Sequence, residues 1–297
     1  MELPPIPNNL SLPDDIRSVK KDEDLTLFIG AGVSQLIGCW GWERLAEELV
    51  DKCLKMHIID YNDRDYLIEE NDKKSHMEVI STCFNKLKRK NLVNEFYSVV
   101  EESCQAHNTS NGIYSELKRL GDYYITTNYD DHFDKYFSED RVVYKFEDFV
   151  KMGMSETNIS RGNLYHIHGS IKEPSSIVLT EDDYSRRYLD FSYLKFLSNV
   201  FSTHSLLFIG YALEEVVIRH LLQHAKRNQG SKQHFVLKHY YSRQTVRYKE
   251  ERERFGAMGI NVISYIGDEK DYHELYEVIG SWISEIKETE LVVYENR

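Results

Sequence analysis

Four short segments place residues with chemical capability directly after apolar runs. Gly30-Ala31-Gly32-Val33-Ser34 follows Leu25–Ile29. Thr127-Asn128-Tyr129-Asp130 closes a run that begins at Asp122. His168-Gly169 closes a run from Asn163, and Gly210-Tyr211 follows Ser205–Ile209. Gly30 and Gly32 let the backbone come close to a ligand, and a helix that follows offers N–H groups to a phosphate. The third glycine of the dinucleotide fingerprint is missing, because Gln35 holds its place. No Lys-Ser or Lys-Thr pair follows, which argues against a nucleoside-triphosphate P-loop. Asn128 supplies an amide able to hold a sugar hydroxyl or a water, although Asn is also a favoured helix cap and Asp130 could cap equally well. His166 and His168 lie two apart on an expected strand and so face one side. His168 stands nearest the sheet edge and is the functional candidate. His166 is about 6–7 Å deeper and is expected to support it or to fill the core. Two histidines on one face also fit a metal pair, but beyond Asp182 and Asp183 no third ligand stands nearby, and no metal is expected. Those two acids, with Glu214 and Glu215, read as charges placed at helix starts.

Elements of regular structure must carry these segments. Leu25–Ile29 reads as a strand covered on both faces. After the glycine turn, Trp42, Leu45, Ala46, Leu49 and Cys53 share one helical face between Trp42 and Met56. Strand, glycine turn and helix open a Rossmann-like unit. From about Asp60 to Leu120 helical patterns dominate, at His76–Lys90, Leu92–Cys104 and Gly112–Leu120. Strand signals return at Asp122–Thr127, Val142–Tyr144, Asn163–His168, Ser176–Thr180, Ser205–Ile209, His234–Leu237 and Asn261–Tyr265. Helical patterns occupy Asp190–Phe201, Glu214–Asn228, Ser242–Met258 and Asp271–Ile286. The alternation predicts an α/β fold: a Rossmann-like, mainly parallel sheet with helices on both faces and a helical insertion after the first helix. In such a sheet the C-terminal strand ends lie side by side and form the ligand crevice. Residues 1–22, with four of the five prolines, read as an N-terminal arm. Residues 23–290 read as one domain, with the insertion at about 60–120.

Composition narrows the function. A net charge of −12 repels phosphate backbones, so no direct nucleic-acid partner is expected. The basic stretches Lys86–Lys90 and Arg243–Arg254 read as solvated helix faces. The four cysteines, at 39, 53, 83 and 104, form no Cys-x-x-Cys pair, so neither a zinc ribbon nor a disulfide framework is expected. No stretch has the length and apolarity of a membrane span, and the N-terminus lacks a secretory pattern; a cytoplasmic protein is expected.

Taken together, GAGVS (Gly30–Ser34), TTNYD (Thr126–Asp130), HIHG (His166–Gly169) and IGYALEE (Ile209–Glu215), in this order, resemble the sirtuin superfamily. More closely, with LTEDDY (Leu179–Tyr184), they resemble the sirtuin-like domains of prokaryotic anti-phage defence systems. The resemblance spans about Leu25 to Leu222. It implies that NAD is the substrate rather than a cofactor, and that the Gly30–Ser34 loop, through Gly30, Ala31, Gly32, Val33 and Ser34, holds its diphosphate. Asn128 would position the nicotinamide-side ribose or the attacking water, and Asp130 would contact the carboxamide. His168 would act as general base. Gly210 and Tyr211 would line the adenosine end, and Thr127 and Gly169 would complete the binding site.

Departures from the family pattern redirect the chemistry. The four-cysteine zinc module of protein-deacylating sirtuins is missing, Thr127 replaces their usual Gln, and Gly210-Tyr211-Ala212 replaces their Gly-Thr-Ser. The expected activity is therefore hydrolysis of NAD to nicotinamide and ADP-ribose, as the effector of a bacterial abortive-infection system. A constitutive NAD hydrolase would deplete its own cell, and the residues after Leu222 read as more of the same domain. A separate activating or sensor subunit is therefore expected, together with homo- or hetero-oligomerisation. A module that senses NAD or ADP-ribose without turnover is the alternative, and a deacylase is a third reading.

Overall fold

Leu25–Ile29 (β1) is buried at every position, as an apolar run must be when helices cover both faces of its sheet. The computed structural model describes residues 4–68, 75–108, 112–144, 159–227, 232–270 and 273–295. The strands that follow β1 are β2 (Tyr123–Thr126), β3 (Val142–Val143), β4 (Leu164–His166), β5 (Ser205–Ile209), β6 (His234–Tyr240) and β7 (Ile260–Ile266). Among the described residues they form one seven-stranded sheet in the order β3-β4-β2-β1-β5-β6-β7. Every pairing is parallel. From β1 the chain adds β2 beside it, then β3 at the edge and β4 between β2 and β3, and returns to add β5 on the other side of β1. The gap between β1 and β5 is thus the topological switch point, where open α/β sheets bind ligands.

The helices are α1 (Asp14–Lys21), α2 (Ala31–Gln35), α3 (Trp42–Lys55), α4 (Tyr61–Ile68), α5 (His76–Arg89), α6 (Val93–Ser103), α7 (Ile113–Leu120), α8 (Glu181–Leu189), α9 (Phe191–Thr203), α10 (Val216–Lys226), α11 (Thr245–Ala257) and α12 (Glu274–Glu295). Alternation along the strands divides the core. Leu25, Leu27 and Ile29 face α1, α7 and α12 through Ile16, Leu117 and Trp282. Phe28, Leu206 and Phe208 face α9, α10 and α11 through Phe201, Leu222 and Phe255. Helices α3 to α6 form a third cluster around Leu49, Ile80 and Phe96, which Ile177 and Leu179 join to the segment after β4. The α/β architecture with a helical insertion after the glycine turn is the one expected. Asn228, Asp271 and Tyr272, and positions 69–74 and 109–111 of the insertion, lie outside the described residues.

Three local expectations differ. Asp14–Lys21 is helical rather than part of an irregular arm, with acids in its first turn, lysines in its last, and Ile16 and Val19 buried. Only two apolar positions carry its inward face, too few for a periodic pattern to stand out. Ser176–Thr180 is not a strand: Pro174–Ser176 is a 3-10 turn, and Thr180 caps α8 through a capping box with Asp183. Helix α8 itself buries none of its residues fully, so it has no apolar stripe to read. Strand β6 runs on to Tyr240, where Lys238, His239 and Tyr240 pair with Ser264, Tyr265 and Ile266.

Candidate functional site

The strand ends form a single row. Ile29 is in register with Thr126 and with Ile209, and Thr126 with His166. Gly30, Thr127, Ile167 and Gly210 therefore all stand one residue beyond the same line. Across the switch point the two glycine turns are tied together, Gly30 N–H donating to Ile209 O at 3.0 Å and Gly32 N–H to Gly210 O at 2.9 Å. A Cβ at Gly30 would meet Gly210 O at 2.6 Å, and one at Gly210, whose φ is +64°, would meet Val33 N at 2.6 Å. The glycines thus serve the approach of two backbones as directly as the approach of a ligand. Ala31, Gly32, Val33 and Ser34 form the short helix α2. Thr127 N–H donates to Ile29 O at 3.0 Å and continues the β1–β2 ladder.

Asn128 is not a helix cap. Its Nδ2 donates to Gly30 O at 3.2 Å and to Ser34 Oγ at 2.8 Å. A carbonyl can only accept, which settles which end of the amide carries hydrogens. Ser34 Oγ in turn donates to Asp130 Oδ2 at 2.6 Å and stands 2.9 Å from Tyr114 Oη. A hydroxyl has one proton and two lone pairs. With its proton on Asp130, Ser34 accepts from both Asn128 and Tyr114, and its capacity is filled. Asp130 is also held by His132 N–H at 3.2 Å. Burial pushes its carboxyl up against the pull of the Ser34 hydrogen bond. The one atom of this buried cluster left without a partner is Asn128 Oδ1.

The two histidines do not share a face. Strand β4 ends at His166, and Gly169 N–H turns back onto His166 O at 3.2 Å. Gly169 has a φ of +80°, and a Cβ there would stand 2.2 Å from Ser176 O. This turn ends the strand alternation, which requires extended backbone. His166 points to Asn128 O (3.1 Å from Nδ1) and Asp134 Oδ1 (2.9 Å from Nε2), with Tyr144 beside its ring. It therefore braces the Asn128 loop. His168, only 1% exposed, packs edge-on to Tyr184 with ring centres 5.3 Å apart. Its Nε2 has no hydrogen-bond partner and lies 3.6 Å from Glu215 Oε2. Burial, helped by the Arg187 charge, pushes His168 down to about 3, and burial pushes Glu215 up to about 8.

Glu215 is the residue that sequence reasoning passed over. It occupies the cap position of α10 but makes no capping hydrogen bond. Instead its Oε1 accepts from Tyr211 Oη at 2.6 Å, and its Oε2 contacts Tyr188 Oη on α8. Tyr211, expected at the adenosine end, stacks on Phe208, lies tilted against Phe28 and directs its hydroxyl to this carboxyl. The loop that presents Glu215 passes through Leu213, a buried residue at φ +57°, a conformation that costs of the order of 1 kcal/mol or more in a non-glycine residue. That strain, invisible in the sequence, turns Glu215 inward. Asp183 belongs to the α8 capping box, and Asp182 pairs with Arg186 at 3.2 Å. Among the described residues no three His, Cys, Asp or Glu side chains converge as metal ligands, and no helix is long and apolar enough to cross a membrane.

Residues 122–263 match the SIR2-like domain family. The NAD(+) hydrolase ThsA of Bacillus cereus (strain MSX-D12) is 26% identical over 208 residues, covering 69% of this chain and 40% of that protein. Defense-associated sirtuin 2 of Bacillus subtilis is 26% identical over an alignment that covers 95% of this chain and 27% of that protein. The chain thus spans less than half the length of either relative. The matched residues run from the start of β2 into β7 and take in Asn128, His168 and Glu215, and over this part the chain is similar to a SIR2-like domain.

Proposed function

We propose that this domain hydrolyses NAD to nicotinamide and ADP-ribose, with Asn128 and His168 at the reacting centre, as a component of an antiviral defence system. The observation that carries the reading is the pair of unpartnered atoms, Asn128 Oδ1 and His168 Nε2, on loops that leave adjacent strands two residues past the Thr126–His166 register. A buried polar atom without a partner is costly, and a polar ligand removes the cost. Breaking the nicotinamide–ribose bond builds positive charge on the ribose. Asn128 Oδ1 can accept from a ribose hydroxyl or from the attacking water and so aim it. Neutral His168 can take the proton. The Gly30–Ser34 turn at the switch point suits the diphosphate, with Thr127, Asp130, Gly169, Gly210 and Tyr211 completing the walls. The names of the two relatives, one an NAD(+) hydrolase and one defence-associated, support substrate and setting.

Regulation is part of the proposal. Asn128 is 6% exposed and His168 1%, with the His168 ring packed against Tyr184 of α8, so the reacting atoms are nearly sealed from solvent. This supports a resting state that a separate activating subunit, or self-association, opens. A cytoplasmic location, where NAD is abundant, fits this reading. The test is incubation of the chain, alone and with proteins that co-purify from its native host, with NAD. Nicotinamide and ADP-ribose in equal amounts, independent of any acyl-lysine peptide, are expected. Tight NAD binding with no nicotinamide release from any assembly would instead mark a sensing module.

A further inference from the structure

The His168–Glu215 pair has a feature that the hydrolase reading does not use. Buried His168 and half-buried Glu215 face each other at 3.6 Å. The carboxyl is held from both sides, Tyr211 on one oxygen and Tyr188 on the other. A carboxyl needed only to anchor the start of α10 would cap it, and this one does not. We propose that Glu215 is a positioning residue that shares one proton with His168: its carboxylate orients the imidazole and steadies the imidazolium formed when His168 takes up a proton. The consequence for catalysis rests on the hydrolase reading. The sharing itself does not.

The surroundings allow one proton in the pair but not two. From α8, Tyr184, Arg187 and Tyr188 face it; from the β5–α10 loop, Tyr211 and Glu214; from the β2 loop, Tyr129; from α9, Tyr193. Arg187 opposes an uncompensated charge on His168. Burial pushes the Tyr129, Tyr184, Tyr193 and Tyr211 hydroxyls upward, so those four stay neutral through the physiological range. Taken singly, the imidazole resists protonation and the carboxyl resists ionisation. Side by side, each relieves the other, and the titration belongs to the pair rather than to either member. The base-competent state is neutral imidazole with ionised carboxylate. A proton moving from a substrate hydroxyl or water to His168 gives imidazolium beside carboxylate, with no net change in the charge of site plus substrate. The 3.6 Å gap is longer than a hydrogen bond, as catalytic contacts often are before substrate closes them.

The experiment is a histidine NMR titration of the whole chain, with the His168 ring signals identified by their absence in His168→Gln. In the wild type these signals should follow a titration in the neutral range. In Glu215→Gln, which keeps an acceptor for one tyrosine and offers an amide N–H to the hydroxyl oxygen of the other, that titration should vanish between pH 5 and pH 9. Tyr211→Phe, which removes one stabiliser of the carboxylate, should move it upward, and serves if Glu215→Gln does not fold. An unchanged His168 titration in the variant that folds would overturn the pairing. Nicotinamide release against pH forms the second arm. Glu215→Gln should shift the acid limb to lower pH and reduce kcat by about 10–100-fold. A titration that responds to Glu215 in a protein that never cleaves NAD would retain the pair and reject the hydrolase. Cleavage with an unmoved acid limb and titration would do the reverse.

Discussion

Asn128 Nδ2 donates to Ser34 Oγ at 2.8 Å, and the Ser34 hydroxyl donates in turn to Asp130 Oδ2 at 2.6 Å. The order of donors along this chain points Asn128 Oδ1 away from its own loop partners. Ser34→Ala removes the shared hydroxyl and leaves Asn128, Tyr114 and Asp130 each short of one buried hydrogen bond. The expected cost is about 2–3 kcal/mol of stability, read as a lower denaturation midpoint at constant m-value. NAD cleavage should fall as well, because the amide is then free to turn over.

Gly169 and Gly280 should respond in opposite directions to the same substitution. At Gly169 the φ is +80° and a Cβ would press on Ser176 O at 2.2 Å, whereas nothing stands within 4 Å of a Cβ at Gly280, inside α12. Gly169→Ala should cost about 3 kcal/mol and distort the His168 turn. Gly280→Ala should add up to about 1 kcal/mol through helix propensity alone. Parallel urea melts of the two variants decide this.

Stability should depend on pH through two opposed groups of side chains. Unfolded histidines titrate near 6.5, but burial holds His234 at about 4 in the folded chain, and the His168–Glu215 pair resists a second proton. Between those limits the unfolded chain binds protons that the folded chain does not, so stability falls as pH drops from about 6.5 toward 4. Glu215 works in the other sense. Its folded value of about 8 lies above the ordinary 4.5, so its contribution is lost as pH rises through that interval. Urea midpoints at pH 5, 6.5 and 8 should show the wild type weakening on the acid side. The advantage of Glu215→Gln over the wild type should grow from pH 5 to pH 8.

The sequence was most legible where burial is symmetric. β1 and β5 begin and end where their largely apolar runs do, since both faces are covered and every position is buried. The reading overran β4 by two residues because His168 keeps the alternating pattern past the point where Gly169 turns the backbone. Helix α8 was hidden for the opposite reason, as its charged surface has no periodic apolar face. Asn128, His168 and the glycine turns stood out because each follows an apolar run. Glu215 did not, because an acid before a helix has an adequate explanation as a cap, and only the bend at Leu213 shows that it turns elsewhere.

All four cysteines are free and buried. Burial raises the Cys39 thiol and raises that of Cys104 to about 12, and a thiolate is the reactive form; the Cys53 thiol is lowered by its hydrogen bond with Cys83, so there complete burial alone excludes a reagent. The native chain should therefore label negligibly with an aromatic disulfide reagent at pH 8. Labelling should appear with the unfolding transition in urea, and fast labelling of the folded chain would show that the region around α3, α5 and α6 opens.

The central claim is that Asn128 and His168 act together on NAD. Nicotinamide release should be measured in the activated assembly for the wild type, Asn128→Ala and His168→Ala, with folding of each variant checked by its melting curve. A loss of at least about 100-fold is expected in both variants, with folding retained. Turnover near the wild-type rate in both would contradict it.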